Sequence, residues 1–577
     1  MTKTSSRIEL TKILSKILKE TPREFVGKVA YLTQGKLHPD FEGIELGMAD
    51  KSVSKAISRA FGSDSEDIKR LVRKTGDLGD SAFILCDKKS QGSLFEETLS
   101  VERVYSTLDD IARASGHGST DFRIGRLASL LSSGDAIEAK FLVRFATGKL
   151  RLGVADYTVL DALAVAFTGD KDNRNTLEKG YNLSSDLGLV ADLLATKGLA
   201  AVSRIKAIVG KPIRPMLAER LGSAKEILDK LGGIAAAEYK LDGERIQAHK
   251  TRDGKITLFS RRLEVITSHY GDVVGFLKKI SAKDFILEGE VVALDKKGKY
   301  LPFQELMHRR RKYGIEQATS EYPASLNSFD LLFLDGEEMV DLSYSDRRKN
   351  LEKLFERSKS RESSRLLLVP QFSVRSAAQV DDLMQESLKN GCEGLVIKDL
   401  NSPYRAGARG FAWIKFKPEY IEGVRDSIDL VIVGANHGMG RRAGNYGTFL
   451  LAAFDKSSDT FKTTTKIGTG FSDIDLAKIS TDLKKIKLEE KSPRVESKVG
   501  AEDWFEPKIV IEVIASEITL SPVYLAGWDL IRKDSGLALR FPKFTGHLRV
   551  DKSPEDATSV EELIEMYRLQ TRQFKAK

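Results

Sequence analysis

The chain reads as a multidomain protein that changes fold class twice: an all-α domain over residues 1–211, an α+β domain over 212–426 and a β-barrel domain over 427–577. Three observations predict this. Apolar residues recur at helical spacing up to about residue 210, with no strand-like alternation of any length. The double-proline segment Lys211-Pro212-Ile213-Arg214-Pro215 breaks that regime, and a mixed texture of strands and helices follows it. After about Ser427 short apolar runs joined by polar loops take over.

In the first domain helical periodicity covers 8–18, 53–61, 68–72, 101–114, 123–131 and 136–145, with short Gly, Ser and Asp loops between. Lys149-Leu150-Arg151-Leu152-Gly153 lies between the last of these and a further apolar helix over 154–167. Two cations beside a glycine at such a junction could grip a phosphate backbone, or form an ordinary polar turn. Gln91-Gly92-Ser93-Leu94-Phe95 interrupts the pattern, and its Leu-Phe pair either hooks a partner or plugs a local core. In the second domain 257–260, 285–294, 328–333 and 394–398 look like strands, and 345–357 and 377–388 like helices. In the third, 430–434, 448–454, 461–467, 509–515 and 538–541 are short strands. About five strands in a small domain predict a barrel of the OB type, and 559–574 reads as a terminal helix.

Composition narrows the function classes. The chain has 577 residues, 41% hydrophobic and 30% charged, so large ordered cores are within reach. Its net charge of +9 favours an anionic partner, nucleic acid first. Two cysteines, Cys86 and Cys392, exclude a disulfide framework and any zinc cluster built of cysteines, and fit a reducing cytoplasm. No apolar core of signal-peptide length opens the chain, and no run is long enough to span a bilayer, so a soluble cytoplasmic protein with no membrane attachment is expected. Gly468-Thr469-Gly470-Phe471-Ser472 lacks the lysine of a Walker A loop, and no His-Glu-x-x-His motif occurs.

The chemistry centres on Glu238-Tyr239-Lys240-Leu241-Asp242-Gly243-Glu244-Arg245, which follows the small apolar run Ile234-Ala235-Ala236-Ala237. This places Lys240 at the end of a short strand, with a tight Asp-Gly turn after it. An amine attacks only when neutral, so a nucleophilic lysine needs burial or nearby cations. Gly243 would let the backbone approach a ligand, and Arg245 could hold a phosphate or ribose. A solvated lysine on a hairpin turn is the alternative. Downstream, Glu288 and Glu290 share one face of an apolar strand and want a cation, with Glu393 a further candidate; partly exposed acids at strand ends are the alternative. Oxygen ligands beside a phosphate substrate point to Mg²⁺. Trp413, Lys415 and Lys417 alternate on one strand face, where the lysines could bracket a phosphate or form a charged solvent face.

Taken in order, Lys240-x-Asp242-Gly243-x-Arg245, Phe259-Ser260-Arg261, Glu288-Gly289-Glu290, Phe329-Asp330-Leu331, Glu393-Gly394-Leu395-Val396-Ile397-Lys398, Trp413-x-Lys415-x-Lys417 and Arg540-Phe541-Pro542-Lys543 resemble the motif series of the ATP-dependent DNA ligases, particularly the archaeal replicative enzymes. The resemblance covers nearly the whole chain. It implies a helical DNA-binding domain, a nucleotidyltransferase (adenylation) domain and an OB-fold domain. It implies that Lys240 forms an adenylyl-lysine with ATP, that Glu238 lies against the adenine and that Phe329 stacks on it. Arg245 and Glu290 would contact the ribose side, Arg261 a phosphate, and Lys415 and Lys417 the α-phosphate. Arg540 and Lys543, with Arg549, Asp551 and Lys552, would orient the leaving pyrophosphate. Glu290 and Glu393 would support Mg²⁺, with Mn²⁺ an alternative. Lys149 and Arg151 would hold DNA, and Gln91, Leu94 and Phe95 would form a sliding-clamp (PCNA) box in which Leu94 departs from the usual aromatic pair. The implied activity is the sealing of nicked duplex DNA by a monomer, in replication, repair and recombination, and the implied location the nucleoid. Two departures stand out: Val265 occupies a usually polar position, and Thr545-Gly546-His547 replaces part of a basic run. An RNA-joining or capping enzyme, and a non-catalytic DNA- or clamp-binding scaffold, are the competing readings.

Overall fold

The computed structural model describes residue 4 and residues 6–89, 99–295, 298–301, 303–309, 319, 321–358, 365–417 and 427–576. Two compact units result, one of Met1–Gly62 with Cys86–Ile421, the other of Ser63–Leu85 with Glu422–Lys577.

The chain is helical through α1 (Arg7–Glu20), α2 (Val26–Gln34), α3 (Asp50–Phe61), α4 (Ser65–Thr75), α5 (Leu78–Lys89), α6 (Val101–Arg113), α7 (Ser119–Ser133), α8 (Ala136–Ala146), α9 (Asp156–Thr168), α10 (Arg174–Ser184) and α11 (Leu187–Lys197). In the first unit Leu14 and Leu18 of α1 pack with Val29 of α2, Val159 and Leu163 of α9, and Val190 and Leu194 of α11. The ends are set locally: Asp135 and Glu138 form a reciprocal capping box that starts α8. α4 and most of α5, continuous in sequence with these helices, group instead with the second unit. Periodicity identifies a helix but not the core it joins.

Two antiparallel-rich sheets follow in the first unit. One has the order β1-β11-β10-β2-β9, from β1 (Leu217–Arg220), β2 (Ala235–Lys240), β9 (Gln371–Val374), β10 (Gly394–Lys398) and β11 (Arg409–Phe416). The other runs β4-β3-β5-β6-β7 with β8 beside β6, from β3 (Glu244–Lys250), β4 (Ile256–Ser260), β5 (Phe285–Ala293), β6 (Ala324–Leu334), β7 (Glu337–Glu338) and β8 (Leu366–Leu368). Helices α12 (Ala224–Lys230) and α13 (Ala377–Lys389) cover the outer face of the first sheet, where Ala235, Ala237 and Tyr239 of β2 join Ile227, Leu228, Val380 and Met384. The alternate residues, Ala236, Glu238 and Lys240, therefore face the other way. On the second sheet Phe285, Leu287 and Val291 of β5 turn into its core, leaving Glu288 and Glu290 on the opposite face as the alternation requires.

The Asp-Gly turn is not a hairpin. β2 and β3 lie in different sheets, so Leu241-Asp242-Gly243 carries the chain from one to the other. Gly243 is required by the backbone, because a Cβ there would sit 2.3 Å from the Val291 carbonyl oxygen. That close approach sets the two sheets against each other beside Lys240.

In the second unit a seven-stranded sheet has the order β15-β17-β12-β13-β14-β16 with β20 on β17. Its strands are β12 (Ile428–His437), β13 (Tyr446–Asp455), β14 (Thr460–Ile467), β15 (Lys487–Leu488), β16 (Val495–Glu496), β17 (Asp503–Ile514) and β20 (Lys543–Leu548), with β18 (Glu517–Ser521) and β19 (Gly536–Arg540) a separate ribbon. The strands beyond the five predicted are mostly short, and two of them span two residues, too few to show a period. A helix absent from the sequence reading, Asp473–Lys485, starts on a capping box of Ser472 and Asp475 and buries Leu476, Ile479 and Leu483 against Phe449 and Phe505. The terminal helix spans Val560–Ala576. Among the described residues no helix is long and apolar enough to cross a membrane.

Candidate active site

The inner faces of the two sheets of the first unit line a cleft of about 350 Å³. Glu238, Lys240, Arg245, Arg261, Glu290, Phe329, Glu393, Lys415 and Lys417 all line it, so every nucleotide or metal residue expected in this domain is brought together. The register explains how. β10 pairs with β2 so that Gly394 stands opposite Lys240 and Val396 opposite Glu238, and β11 pairs with β10 so that Lys415 stands opposite Val396. Gly394 has φ +136°, and a Cβ there would meet the Phe416 carbonyl oxygen at 2.4 Å, so only glycine lets Glu393 sit next to the lysine.

Lys240 is partly buried and donates to the Glu393 carboxylate. Its direct partner is thus an anion, in addition to the nearby cations that the sequence led us to expect. Lys417 reaches the same carboxylate at 2.9 Å. Burial pushes Glu393 upward, but Lys240 and Lys417 hold it down to about 2. Glu290 behaves in the opposite way: burial pushes it up to about 7, with Lys240 and Arg245 only partly opposing. Asp242 is raised by burial to about 6, even though it accepts the Phe303 N–H at 3.0 Å. Lys415 and Arg261 are both lowered, by burial first and then by neighbouring cations, Arg409 among them. The cleft thus holds more positive charge than its ion pairs absorb, which suits a polyphosphate.

Arg245 and Glu238 are tied to structure as well as to the cleft. Arg245 bonds Glu288 at 2.8 Å and the Met216 carbonyl at 2.7 Å, and lies 5.5 and 5.3 Å from the ring centres of Phe329 and Trp413. The cation that Glu288 wants is therefore this guanidinium. Glu238 is buried, 2.5 Å from Lys398 and 3.5 Å from Arg348, and accepts from the Tyr344 hydroxyl. Phe329 meets Trp413 edge to face at 6.0 Å and leaves a ring surface on the cleft.

Sequence reasoning assigned no role to Lys398 or Arg409, which also line the cleft. Lys398 had a signal. It shares the face of β10 that carries Gly394 and Val396, opposite the apolar Leu395 and Ile397. Tyr344 and Arg348 start an ordinary amphipathic helix, Tyr344–Arg357, and nothing local marks them.

Outside the cleft, Lys149 ion-pairs with Asp50 at 3.0 Å, and Arg151 adopts φ 56° in the loop between α8 and α9. In the second unit Arg540 pairs with Glu517 at 2.6 Å and lies over the exposed Phe541 ring, while Lys543 is exposed. Arg549 and Lys552 both reach Asp429 at 2.7 Å, and Arg549 also holds Asp551 at 2.8 Å, so these residues knit one local network. Gln91, Leu94 and Phe95 lie outside the described residues.

A two-sheet cleft with a lysine at its centre, cations on a neighbouring strand and an aromatic wall defines a nucleotidyltransferase. Residues 215–417 match the ATP dependent DNA ligase domain, 1–164 the DNA ligase N terminus and 442–552 the ATP dependent DNA ligase C terminal region. The chain belongs to the ATP-dependent DNA ligase family. It is 48% identical to a DNA ligase of Nitrosopumilus maritimus over 98% of this chain and 96% of that one. It is 46% identical to a probable DNA ligase of Aquifex aeolicus over 98% and 96% of the two chains. A solved structure named Pmar-Lig_Pre, 18% identical with a TM-score of 0.55, covers 94% of this chain and 96% of its own, and shares the fold. The protein is an ATP-using enzyme that joins DNA.

Proposed function

We propose that Lys240 is the nucleophile and that sealing runs through an adenylyl-lysine and a DNA-adenylate. In the first step the neutral Lys240 amine attacks: a bond forms between Nζ and the α-phosphorus of ATP, the bond to pyrophosphate breaks, and the nitrogen sheds a proton to solvent. The 5′-phosphate at a nick then takes the AMP, and the 3′-hydroxyl finally displaces AMP as the phosphodiester forms. Each step gathers negative charge on phosphorus, where positioned cations contribute most. Lys415, Lys417 and Arg261 face the cleft for this role, and Phe329 offers the surface on which the adenine stacks. The observation that carries the reading is the junction of the two sheets, which sets Lys240 among these groups rather than in open solvent.

A divalent cation suits the same cleft. Glu290, raised to about 7, is a carboxylate without enough positive charge around it. Mg²⁺ takes most of its ligands from phosphate and water and needs only one or two carboxylates. Glu290 and Glu393 would hold Mg²⁺ or Mn²⁺, which when bound offsets phosphate charge. Arg540 and Lys543 would orient pyrophosphate, and Lys149 and Arg151 would grip DNA phosphates, making binding salt-sensitive and nearly sequence-blind. A monomer working at nicks in replication, repair and recombination, recruited to the sliding clamp through Gln91, Leu94 and Phe95, completes the proposal. Mass spectrometry after exposure to ATP, followed by nick sealing on DNA and RNA duplexes, tests it. An AMP adduct on Lys240 and sealing of DNA are expected; no adduct, or an adduct on another residue, would overturn it.

A further inference from the structure

The loop Gly468-Thr469-Gly470-Phe471-Ser472 has no part in the chemistry above, yet it is fixed at both ends and reaches one particular segment. It leaves β14, where the Gly468 carbonyl accepts from Arg442 Nη1 at 2.9 Å, and enters the helix Asp473–Lys485, which Ser472 caps. Between those anchors it meets the corner Arg540-Phe541-Pro542-Lys543. The Thr469 hydroxyl donates to the Pro542 carbonyl at 2.6 Å, and the Thr469 carbonyl accepts the Phe544 N–H at 3.0 Å. Gly470 has φ +92°, and a Cβ there would lie 2.4 Å from the Phe544 carbonyl oxygen and 2.8 Å from Lys543 Cγ, so only glycine permits the approach. Phe471 stacks on Phe544, with 4.5 Å between ring centres and 13° between planes, and both rings belong to the core of the second unit.

The corner needs such a hold. Arg540 ends β19, in the separate ribbon, and Lys543 opens β20, which pairs with β17, so Phe541 and Pro542 cross between two sheets. Phe541 makes the crossing at φ +51°, an unfavourable conformation for an aromatic residue, and its own side chain, 71% exposed, does little to offset the cost. A strained backbone persists where its surroundings over-determine it. Here Thr469, Gly470 and Phe471 supply those surroundings. Arg540 and Lys543, on different sheets, keep a fixed spacing only while the crossing between them is held.

We propose that Thr469, Gly470 and Phe471 are positioning residues that clamp the Arg540–Lys543 corner, and so set the spacing of its two cations for pyrophosphate. This rests on the reading that Arg540 and Lys543 orient pyrophosphate in the first step. The loop acts on a phosphate through the corner rather than by binding one itself. The Thr469 bond is exposed to solvent, so it adds little to stability and its effect is geometric.

The test runs the first step backwards, mixing the whole adenylylated chain with pyrophosphate and following the ATP released. The bond from Lys240 Nζ to phosphorus breaks, a pyrophosphate oxygen bonds the α-phosphorus, and the nitrogen takes up a proton. Gly470→Ala is expected to raise KM for pyrophosphate by about tenfold, as the strained crossing relaxes, with a much smaller change in the saturated rate. Thr469→Val keeps the shape and loses the hydroxyl; it should raise KM by about threefold at a melting temperature close to wild type, and Thr469→Ser should restore the wild-type value. The Thr469 pair carries the test if Gly470→Ala does not fold. Added to a protein that already carries Arg540→Ala and Lys543→Ala, Thr469→Val should raise KM no further, because the clamp has nothing left to position. Its full effect in that background would mark a merely structural role and overturn the proposal. So would wild-type KM in both loop variants while Arg540→Ala or Lys543→Ala raises it. If neither Arg540→Ala nor Lys543→Ala changes KM, the reading of the corner itself fails and the clamp with it. A wild type that forms no adduct would overturn the reading of Lys240 and this proposal together.

Discussion

Glu238 and Glu290 line the same cleft, yet their surroundings differ sharply. Glu238 has Lys398, Arg348 and the Tyr344 hydroxyl on it, and is complete without a ligand. Glu290 is raised to about 7 by burial that Lys240 and Arg245 only partly offset. The first acid belongs to the architecture and is fixed before any nucleotide arrives. The second stores unfavourable electrostatic energy, which a bound cation would relieve. The difference separates a carboxylate already partnered by the fold from one that burial holds at a cost.

The contrast can be broken or sharpened by experiment. The largest effect is expected between the two acids, at Lys240: Lys240→Arg should abolish the AMP adduct seen by mass spectrometry while leaving the melting temperature close to wild type. Next, Glu238→Gln leaves the Lys398 ammonium buried without its anion and should destabilise the unliganded protein by about 3 kcal/mol in denaturant unfolding. Glu290→Gln should move the other way, stabilising the unliganded protein by up to about 2 kcal/mol at pH 8, because a partly buried charge is removed. Destabilisation by both substitutions would erase the distinction.

A pH series separates the same groups. Glu290 binds its proton more tightly folded than unfolded, so its contribution is fully present below its ordinary value of 4.5 and is lost as pH rises through about 7. Asp242 acts in the same direction between 3.8 and about 6. Glu393 opposes them: its stabilisation is present above 4.5 and is lost as pH falls toward about 2. Melting of wild type against Glu290→Gln should therefore differ little at pH 4 and most at pH 8; equal gaps at both would refute the assignment. The smallest effect is expected at Lys415, lowered by burial and by Arg409, Lys240 and Lys417. Lys415→Met should relieve this repulsion, stabilising the unliganded protein by about 0.5 kcal/mol, while weakening ATP binding in a titration.

Most of the strands and helices named in advance are present, with ends moved by a few residues. Strand 394–398 has its predicted bounds, and the face carrying Trp413, Lys415 and Lys417 is the cleft face. Hydrophobic alternation decided these positions, and alternation is local. The sequence left matters open where a local cue has two outcomes. Asp242-Gly243 looks like a hairpin but crosses between sheets, and Gly468–Ser472, read only as a failed phosphate loop, leads into the helix that Ser472 caps.

From the sequence alone came the three fold classes, the lysine at a strand end and the identity of the groups that could gather around it. Spacing along a strand settles which side chains share a face without reference to the rest of the chain. Only the tertiary structure decided that Lys240 rests on Glu393, that Glu288 belongs to Arg245, and that Lys398 sits against Glu238. These pairings join residues far apart in the chain, and their charge states depend on burial, a property that no short stretch of sequence carries.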